Sequence, residues 1–500
     1  MSAINKIVKE SSINFTGSAV GNVLGYAWLM IMTRYLSQSD VGTFTLVQSI
    51  INISLIFVLL GMHRSLDRFI PIFDTSGDKG KIKSLLRLIF LFSISASALV
   101  AVGLYLWADY IGEVIFNDQI LSQLIRITVI SIPLLAVINI VIYAFAGYKE
   151  LRYNVYLKQI LEPVLRILFV LLLAMFGLGL IEWTWFYILT LVITSIASIW
   201  LLFKNIIKPL KNEKSIKIDF LEIIRYSWPI SISSILIMVM GQIDYIILGI
   251  YHQTADVGVY RIYIQIAVLL KLVLGSMARI YKPVISELIP QGKGQEIKEV
   301  YIRVSKWVLS ITLLGFLIVL LYGDKVTGLL FTDAYAVYPS ALILLALGTL
   351  INSAFGPEGM TLEAYGNTKL VMVNSLVALI INIGLGFLLV PKYGIVGAAI
   401  ATAATMSISG LLGLLEIYYL YKMQPFSLDT LKYLGIGAVT GLIFYGINFW
   451  RDFNNVLGLL VLITLMTAVY LAGFFLTNSL DDVDLETIGR ITSFLKIKRK

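Results

Sequence analysis

Residues 39–62 read SDVGTFTLVQSIINISLIFVLLGM, and from Val41 to Met62 the stretch carries no Asp, Glu, Lys or Arg. As a helix it rises about 30 Å, which is the hydrocarbon thickness of a bilayer, so it is read as a membrane-spanning helix. Working outward, stretches of the same kind fall at 13–35, 85–107, 121–145, 155–178 and 184–203, which makes six with 41–62. After a polar stretch at 204–224 come 226–250, 258–281, 304–322, 336–357, 369–390, 394–421, 432–450 and 456–477. The expected fold is an all-α polytopic bundle of about 14 transmembrane helices, with both termini on one side because the count is even. The first apolar segment lacks a small-residue cleavage site and is read as a retained helix.

Composition agrees. Of 500 residues, 58% are hydrophobic and 14% charged, and the mean hydropathy is +0.88, values that exclude a string of soluble domains. The 38 Gly and 11 Pro exclude a coiled coil. Cysteine is absent, so disulfide and thiolate chemistry are excluded, and two histidines, His63 and His252, are too few for a histidine-based zinc site or triad. The Gly292-Lys293-Gly294 triplet lacks the spacing of a phosphate-binding loop. No catalytic residue, metal site or cofactor is expected.

The formal charge of +9 is explained by where the charges sit. Lys and Arg accumulate in cytoplasmic loops. One loop holds Arg64, Arg68, Lys79, Lys81, Lys83 and Arg87; the 204–225 connection holds Lys204, Lys208, Lys211, Lys214, Lys217 and Arg225. A third group is Arg279, Lys282, Lys293, Lys298, Arg303 and Lys306, and the tail carries Arg490, Lys496, Lys498, Arg499 and Lys500. The intervening loops near 108–119 and 179–183 hold Asp109, Glu113, Asp118 and Glu182 and no Lys or Arg. Both termini are therefore expected in the cytoplasm, and the basic excess is topological rather than a nucleic-acid surface.

The opening motif also recurs. Asp40-Val41-Gly42-Thr43-Phe44 returns as Asp256-Val257-Gly258-Val259-Tyr260; Gly77, Ile82 and Lys83 return as Gly292, Ile297 and Lys298; Gly147 and Leu151 return as Gly366 and Leu370. The offsets are 216, 215 and 219. Six helices separate equivalent points, so the repeats are parallel and related by an axis along the membrane normal. The implied organisation is an N-lobe at 1–203, a cytoplasmic linker at 204–225, a C-lobe at 226–421, two further helices within 422–480 and a cytoplasmic tail at 481–500. Such repeats place a substrate site between lobes that rock against each other.

Ionisable groups at membrane depth mark candidate function, since each costs about 2.5–3.5 kcal/mol to insert. Arg166 lies near the middle of helix five and Lys271 equally deep in helix eight, with no acidic neighbour on its own helix. Lys158, Glu162 and Arg166 are spaced by four, so they are expected on one net-positive face with Glu162 pairing either neighbour. Asp244 and Arg126 lie nearer the outer surface. Supporting amides are Gln48, Asn52, Gln265 and Asn374, with Gln242 and Asn382 extending the set. Arg166 with Lys271 points to a cationic, water-filled cavity suited to an anionic cargo, against the plainer reading in which Arg166 neutralises Glu162 and the amides hold helices together. Gly17, Gly21 and Gly25 form a small-residue stripe for close packing. Trp107, Trp183, Trp185, Trp228, Trp307 and Trp450 fall near segment ends, as an interfacial belt would.

Several stretches carry a family likeness: TRYLSQSDVGTFTLVQSI at 33–50, SLDRFIPIFDTSGDKGKIKSLL at 65–86, YKPVISELIPQGKGQEIKEVYIRVSKW at 281–307 and LLFTDAYAVYPSALILLALGTLINSAFGPEGMTLEAYGNTKL at 329–370. Together they resemble the polysaccharide-biosynthesis flippases of the multidrug, oligosaccharidyl-lipid and polysaccharide exporter superfamily. The resemblance implies two pseudo-symmetric, MATE-like six-helix lobes around a central cavity. It implies movement of polyprenyl-diphosphate-linked sugars across the cytoplasmic membrane, with Arg166, Lys271 and Arg34 as cavity cations holding the diphosphate. It further implies contact with membrane lipids and with glycan polymerase or ligase machinery, and a monomer. Drug antiporters of the superfamily often carry an acid within helix one; this helix has none between Gly17 and Tyr35. A lipid II-type flippase and an ion-coupled antiporter using Asp244 or Glu162 remain alternatives. A polymerase or ligase is disfavoured because every expected outer connection is short.

Overall fold

A computed structural model describes residues 3–216, 218, 220–426, 428–450, 456–477 and 479. The expected tail at 481–500 lies outside them, as do the side chains of Arg225, Arg279, Trp228 and Trp450. Every regular element among the described residues is helical, as lipid demands of a chain that must satisfy its backbone internally. By packing, the chain forms two compact units, Met1–Ile262 with Asn382–Ala398, and Tyr263–Ile381 with Ala399–Lys500. This division rests on contacts, whereas the expected lobes rest on sequence similarity; α10 below groups with the first unit.

The first unit contains α1 (Ala3–Tyr35), α2 (Gln38–Leu59), α3 (Ser65–Thr75), α4 (Lys79–Leu106), α5 (Gln119–Thr128), α6 (Ser131–Gly147), α7 (Arg152–Asn154), α8 (Glu162–Phe176), α9 (Leu180–Leu202), α10 (Phe220–Tyr251) and the start of α11 (Thr254–Leu288). The second contains the rest of α11, α12 (Gly294–Phe331), α13 (Pro339–Ala354), α14 (Glu358–Ala364), most of α15 (Thr368–Tyr421), α16 (Leu428–Trp450) and α17 (Val456–Leu476). Helix occupies all fourteen expected segments. Among the described residues nine helices are long and apolar enough to cross a membrane, or ten if α5 and α6, bent by 46°, form one span.

One of the nine is too long for a single crossing. The 54 residues of α15 would rise about 80 Å, more than twice the hydrocarbon thickness. It is two helices meeting at Gly394, whose φ of 53° and ψ of −130° are non-helical. A Cβ on Gly397 would sit 2.5 Å from the carbonyl oxygen of Leu389, so the limbs double back in near contact. His252 fastens the bend: its Nε2 is 2.8 Å from the Val390 carbonyl oxygen, and Asp256 lies 3.7 Å from its Nδ1.

The repeated Asp-Val-Gly motif starts helices. Ser37 Oγ accepts from the Asp40 amide at 3.1 Å and the Asp40 carboxylate accepts from the Ser37 amide at 3.1 Å, a reciprocal cap on α2. The glycines do something else. A Cβ on Gly42 would lie 1.6 Å from the Thr254 carbonyl oxygen, and one on Gly258 would lie 2.2 Å from that of Gln38. The two copies therefore pack backbone to backbone, with Ser39 Oγ and Thr254 Oγ1 2.7 Å apart.

At the other end of the unit two basic connections meet. Lys83 Nζ donates to the carbonyls of Lys211 at 3.1 Å and Glu213 at 2.9 Å, and Ser84 and Ser215 are hydrogen bonded at 2.6 Å. Opposite lies the acidic loop, where Asp109 pairs with Arg126 at 2.5 Å and Asp118 caps α5 while accepting from Thr43 at 3.0 Å. In the second unit α16 and α17 pack on α12 through Leu313, Leu317, Tyr433, Phe444, Met466 and Tyr470. The Tyr470 hydroxyl donates to the Ser310 carbonyl at 2.9 Å. In lipid such packing and hydrogen bonding, rather than water exclusion, hold helices together.

Candidate functional site

The first unit gathers a cationic and aromatic cluster around Trp28 of α1. Trp28 is 4% exposed and stacks on Trp183 of α9, with ring centroids 5.8 Å apart. Phe44 of α2 braces both Trp183 and Tyr187 edge to face, at 5.9 and 5.3 Å. This frame holds Trp28 rigidly. Trp183, expected at the membrane interface, is instead fully buried, because α9 places it beneath Trp28; Trp107 and Trp185 are exposed as expected.

Two guanidinium groups use the frame. Arg166 of α8 lies 5.2 Å from the Trp28 centroid and 5.4 Å from that of Tyr187, and Arg261 of α11 lies 5.7 Å from Trp28. Each such contact is worth about 0.5–2 kcal/mol. Arg166 also donates to Glu162 one turn back, as its four-residue spacing allows. Its Nε is buried and has no hydrogen-bond partner among the described residues. Arg261 donates to Thr45 Oγ1 at 2.9 Å and Gln48 Oε1 at 2.8 Å, and Gln48 also bonds Tyr187. Two cations thus converge on one ring, and Arg166 also pairs with Glu162.

The α1 stripe brings the segment that leads into α8 close. A Cβ on Gly17 would meet Val155 at 2.2 Å and one on Gly21 would meet the Gln159 carbonyl at 2.8 Å, and Gln159 donates to Ser18 at 3.0 Å. Gly25 has open space instead. Between α7 and α8 the chain is π-helical from Val155 to Leu161. This wider turn breaks the four-residue register. Lys158 is consequently exposed, whereas Glu162 is buried and Arg166 half-buried, and its charge is felt at His63.

The other candidate residues are scattered. Asp244 is buried and accepts from the Tyr260 hydroxyl at 3.2 Å. Arg34, in the last turn of α1, is exposed and about 9 Å along the axis from Trp28. Asn52 and Gln265 are half-buried. Lys271, in the second unit, is half-buried; its own helix carries no acid between Asp256 and Glu287, but Glu358 of α14 acts on it electrostatically. Asn374 donates to Glu416 at 2.7 Å, a satisfied pair between the limbs of α15. Neither Arg261 nor Trp28 stands out in the sequence: Arg261 falls near a helix end, and Trp28 resembles any other membrane tryptophan.

Comparison with known proteins agrees with this architecture. Residues 7–289 match the model for the polysaccharide biosynthesis protein family, and residues 229–388 match the MatE model. A probable low-salt glycan biosynthesis flippase of Haloferax volcanii is 24% identical over 45% of this chain and 47% of its own length. The chain thus spans about half of that relative. An uncharacterized membrane protein of Methanocaldococcus jannaschii is 24% identical over 95% of this chain and 96% of its own. Among solved structures, a lipid II flippase in an inward closed conformation superposes with a TM-score of 0.70 at 16% identity, covering 93% of this chain and 98% of that one. Sharing this fold and matching the family model over more than half its length, the chain belongs to the polysaccharide biosynthesis protein family and is a multi-pass membrane protein of the multidrug, oligosaccharidyl-lipid and polysaccharide exporter superfamily.

Proposed function

We propose that the protein is a flippase that moves a polyprenyl-phosphate- or diphosphate-linked oligosaccharide across the cytoplasmic membrane by alternating access. The observation that carries this reading is the pair of arginines, Arg166 and Arg261, set on one tryptophan within apolar helices. Guanidinium groups are fork-shaped, permanently charged donors for phosphate oxygens. Placed in a low-dielectric region, they offset the cost of bringing a phosphate through it, while the polyprenyl chain stays in lipid. Nothing in the reading requires a covalent step. The glycan-biosynthesis role of the Haloferax relative supports the cargo class. In this reading the chain crosses the membrane fourteen times, with both termini in the cytoplasm, and Lys271 supplies a further cation from the second unit.

The test is leaflet exchange of a fluorescent polyprenyl-diphosphate oligosaccharide in liposomes, comparing wild type with Arg166→Gln, Arg261→Gln and the double variant Arg166→Gln with Lys271→Gln. Wild-type exchange lost in these folded, monodisperse variants supports the reading. Equal exchange in all of them moves the cargo away from the cluster. No exchange with any glycan, together with an ion flux abolished by Asp244→Asn, identifies an antiporter built on the buried Asp244.

A further inference from the structure

A separate cavity of about 350 Å³ opens within the first unit where α2 ends. Two consecutive left-handed residues, Leu60 at φ 40° and Gly61 at φ 68°, stop the helix there, and for leucine that conformation is strained. The turn brings His63 and Arg64 to the cavity, where they join Asn139 and Tyr143 of α6. Leu55, Leu59, Ile235 and Met238 make the remaining wall apolar. At the small end of the roughly 300–1,000 Å³ range of ligand cavities, it has room for one chain and its head rather than two acyl tails.

The polar end is short of partners. His63 Nδ1 is buried without a hydrogen bond, its ring set edge-on to Tyr143 with centroids 4.6 Å apart. Arg64 has no ion pair among the described residues; Asp67 is the carboxylate that feels its charge. Asn139 spends one N–H on the Leu135 carbonyl at 2.7 Å, on its own helix. Lys158 adds a second positive charge close enough to act on His63. Burial, reinforced by Arg64 and Lys158, holds the imidazole neutral, its pKa lowered to about 3. An anion in the cavity would cancel the charge repulsion and give the orphaned imidazole nitrogen a partner.

We propose that this cavity seats a single-chain lipid phosphate, Arg64 and His63 holding the phosphate oxygens and the α2 and α10 side chains holding the first carbons of the chain. A phosphate monoester suits it because it offers three acceptor oxygens to the guanidinium fork, the imidazole and the Tyr143 hydroxyl. The seat is distinct from the Trp28 cluster. It rests on the flippase reading only in that a carrier lipid would be the resident; the cavity's chemistry stands by itself.

The chain has only two histidines, so histidine-selective ¹⁵N labelling reports on the seat directly, with His252 as reference and His63→Gln to assign the signal. The protein is placed in phosphatidylcholine nanodiscs at about pH 5, where an anion that raises the His63 pKa from about 3 to about 5 takes the imidazole from about 1% to about half protonated. Dodecyl phosphate is expected to move the His63 signal saturably, with the half-saturating concentration raised about tenfold by Arg64→Gln and unchanged by Arg166→Gln. Inorganic phosphate, lacking the chain, is expected to need about a hundredfold more. An unmoved His63 signal in wild type overturns the proposal, as does equal response in Arg64→Gln or equal potency of inorganic phosphate. A His63 response in a protein that exchanges no lipid-linked oligosaccharide removes the flippase reading and leaves the seat. Exchange without a His63 response does the reverse.

Discussion

Arg166 and Arg261 both bring their charge to a single ring, their guanidinium carbons 5.2 and 5.7 Å from the centroid of Trp28. Like charges at such spacing repel, and the repulsion is held in check by the Trp28 π face, Glu162, Thr45 and Gln48. The cluster's dependence on aromatic shape, on fork geometry and on charge can be separated by substitution.

Trp28→Leu removes the ring quadrupole under both arginines and is expected to slow exchange at least about tenfold and to lower stability by about 1–3 kcal/mol. Trp28→Phe keeps a smaller π face and is expected to fall between. Initial exchange rates and detergent melting temperatures check this, and equal rates for Leu and Phe would show that only volume matters.

Arg261→Lys preserves charge but not the fork that meets Thr45 and Gln48 together. Exchange is expected to stay well below wild type, within about threefold of Arg261→Gln, because a point charge cannot replace two oriented donors. Full activity in the lysine variant would reduce Arg261 to a simple counter-charge.

The contact between the two Asp-Val-Gly motifs can be locked chemically. The sequence has no cysteine, and Ser39 and Thr254 bring their hydroxyl oxygens within 2.7 Å. Ser39→Cys with Thr254→Cys is expected to form an intramolecular disulfide on mild oxidation. If alternating access requires these ends to part, exchange stops on oxidation and returns with reductant. Undiminished exchange in the oxidised protein would mean that the contact is static.

Gly394→Ala forces a side chain onto a backbone of φ 53° and ψ −130° and toward the His252 ring, 3.2 Å from the new Cβ. A loss of about 1–3 kcal/mol is expected, read as a lower melting temperature. An unchanged melting temperature would indicate that the bend adapts without strain.

His63 gives stability a pH dependence of known sign. Its folded pKa, lowered to about 3 by burial beside Arg64 and Lys158, lies below the ordinary 6.5. Between these values the unfolded chain binds the extra proton, so the contribution is complete above the unfolded value and is lost as pH falls toward the folded one. The melting temperature of wild type is therefore expected to drop faster than that of His63→Gln between about pH 7 and pH 5. Parallel curves would place His63 in water.

Much of this was legible in the residues. The fourteen apolar segments each coincide with helix, because a chain in lipid has no other way to satisfy its amides and the required length is set by the bilayer. Glu162 and Arg166 pair as their four-residue spacing implies. Lys158 does not join them, since a π-helical turn at Val155–Leu161 leaves no mark in a hydropathy scan. The division at Gly394 was visible only as a short gap between two apolar runs, and the two units by packing do not follow the repeat, because contacts and ancestry need not coincide.

The sequence by itself determined the membrane class, the helical content, the internal repeat and the presence of cations within apolar helices, all of which follow from local composition and from periodicity along one chain. Only the tertiary structure decided which cations share a site. Arg261 reaches Trp28 from a helix start, Trp183 lies beneath it from another helix, Glu358 reaches Lys271 from a third, and His63 and Arg64 turn into a cavity of their own. Spacing rules extend one or two helical turns; beyond that range, side-chain partnerships depend on how helices cross, and crossing is settled by the packing of whole faces at once.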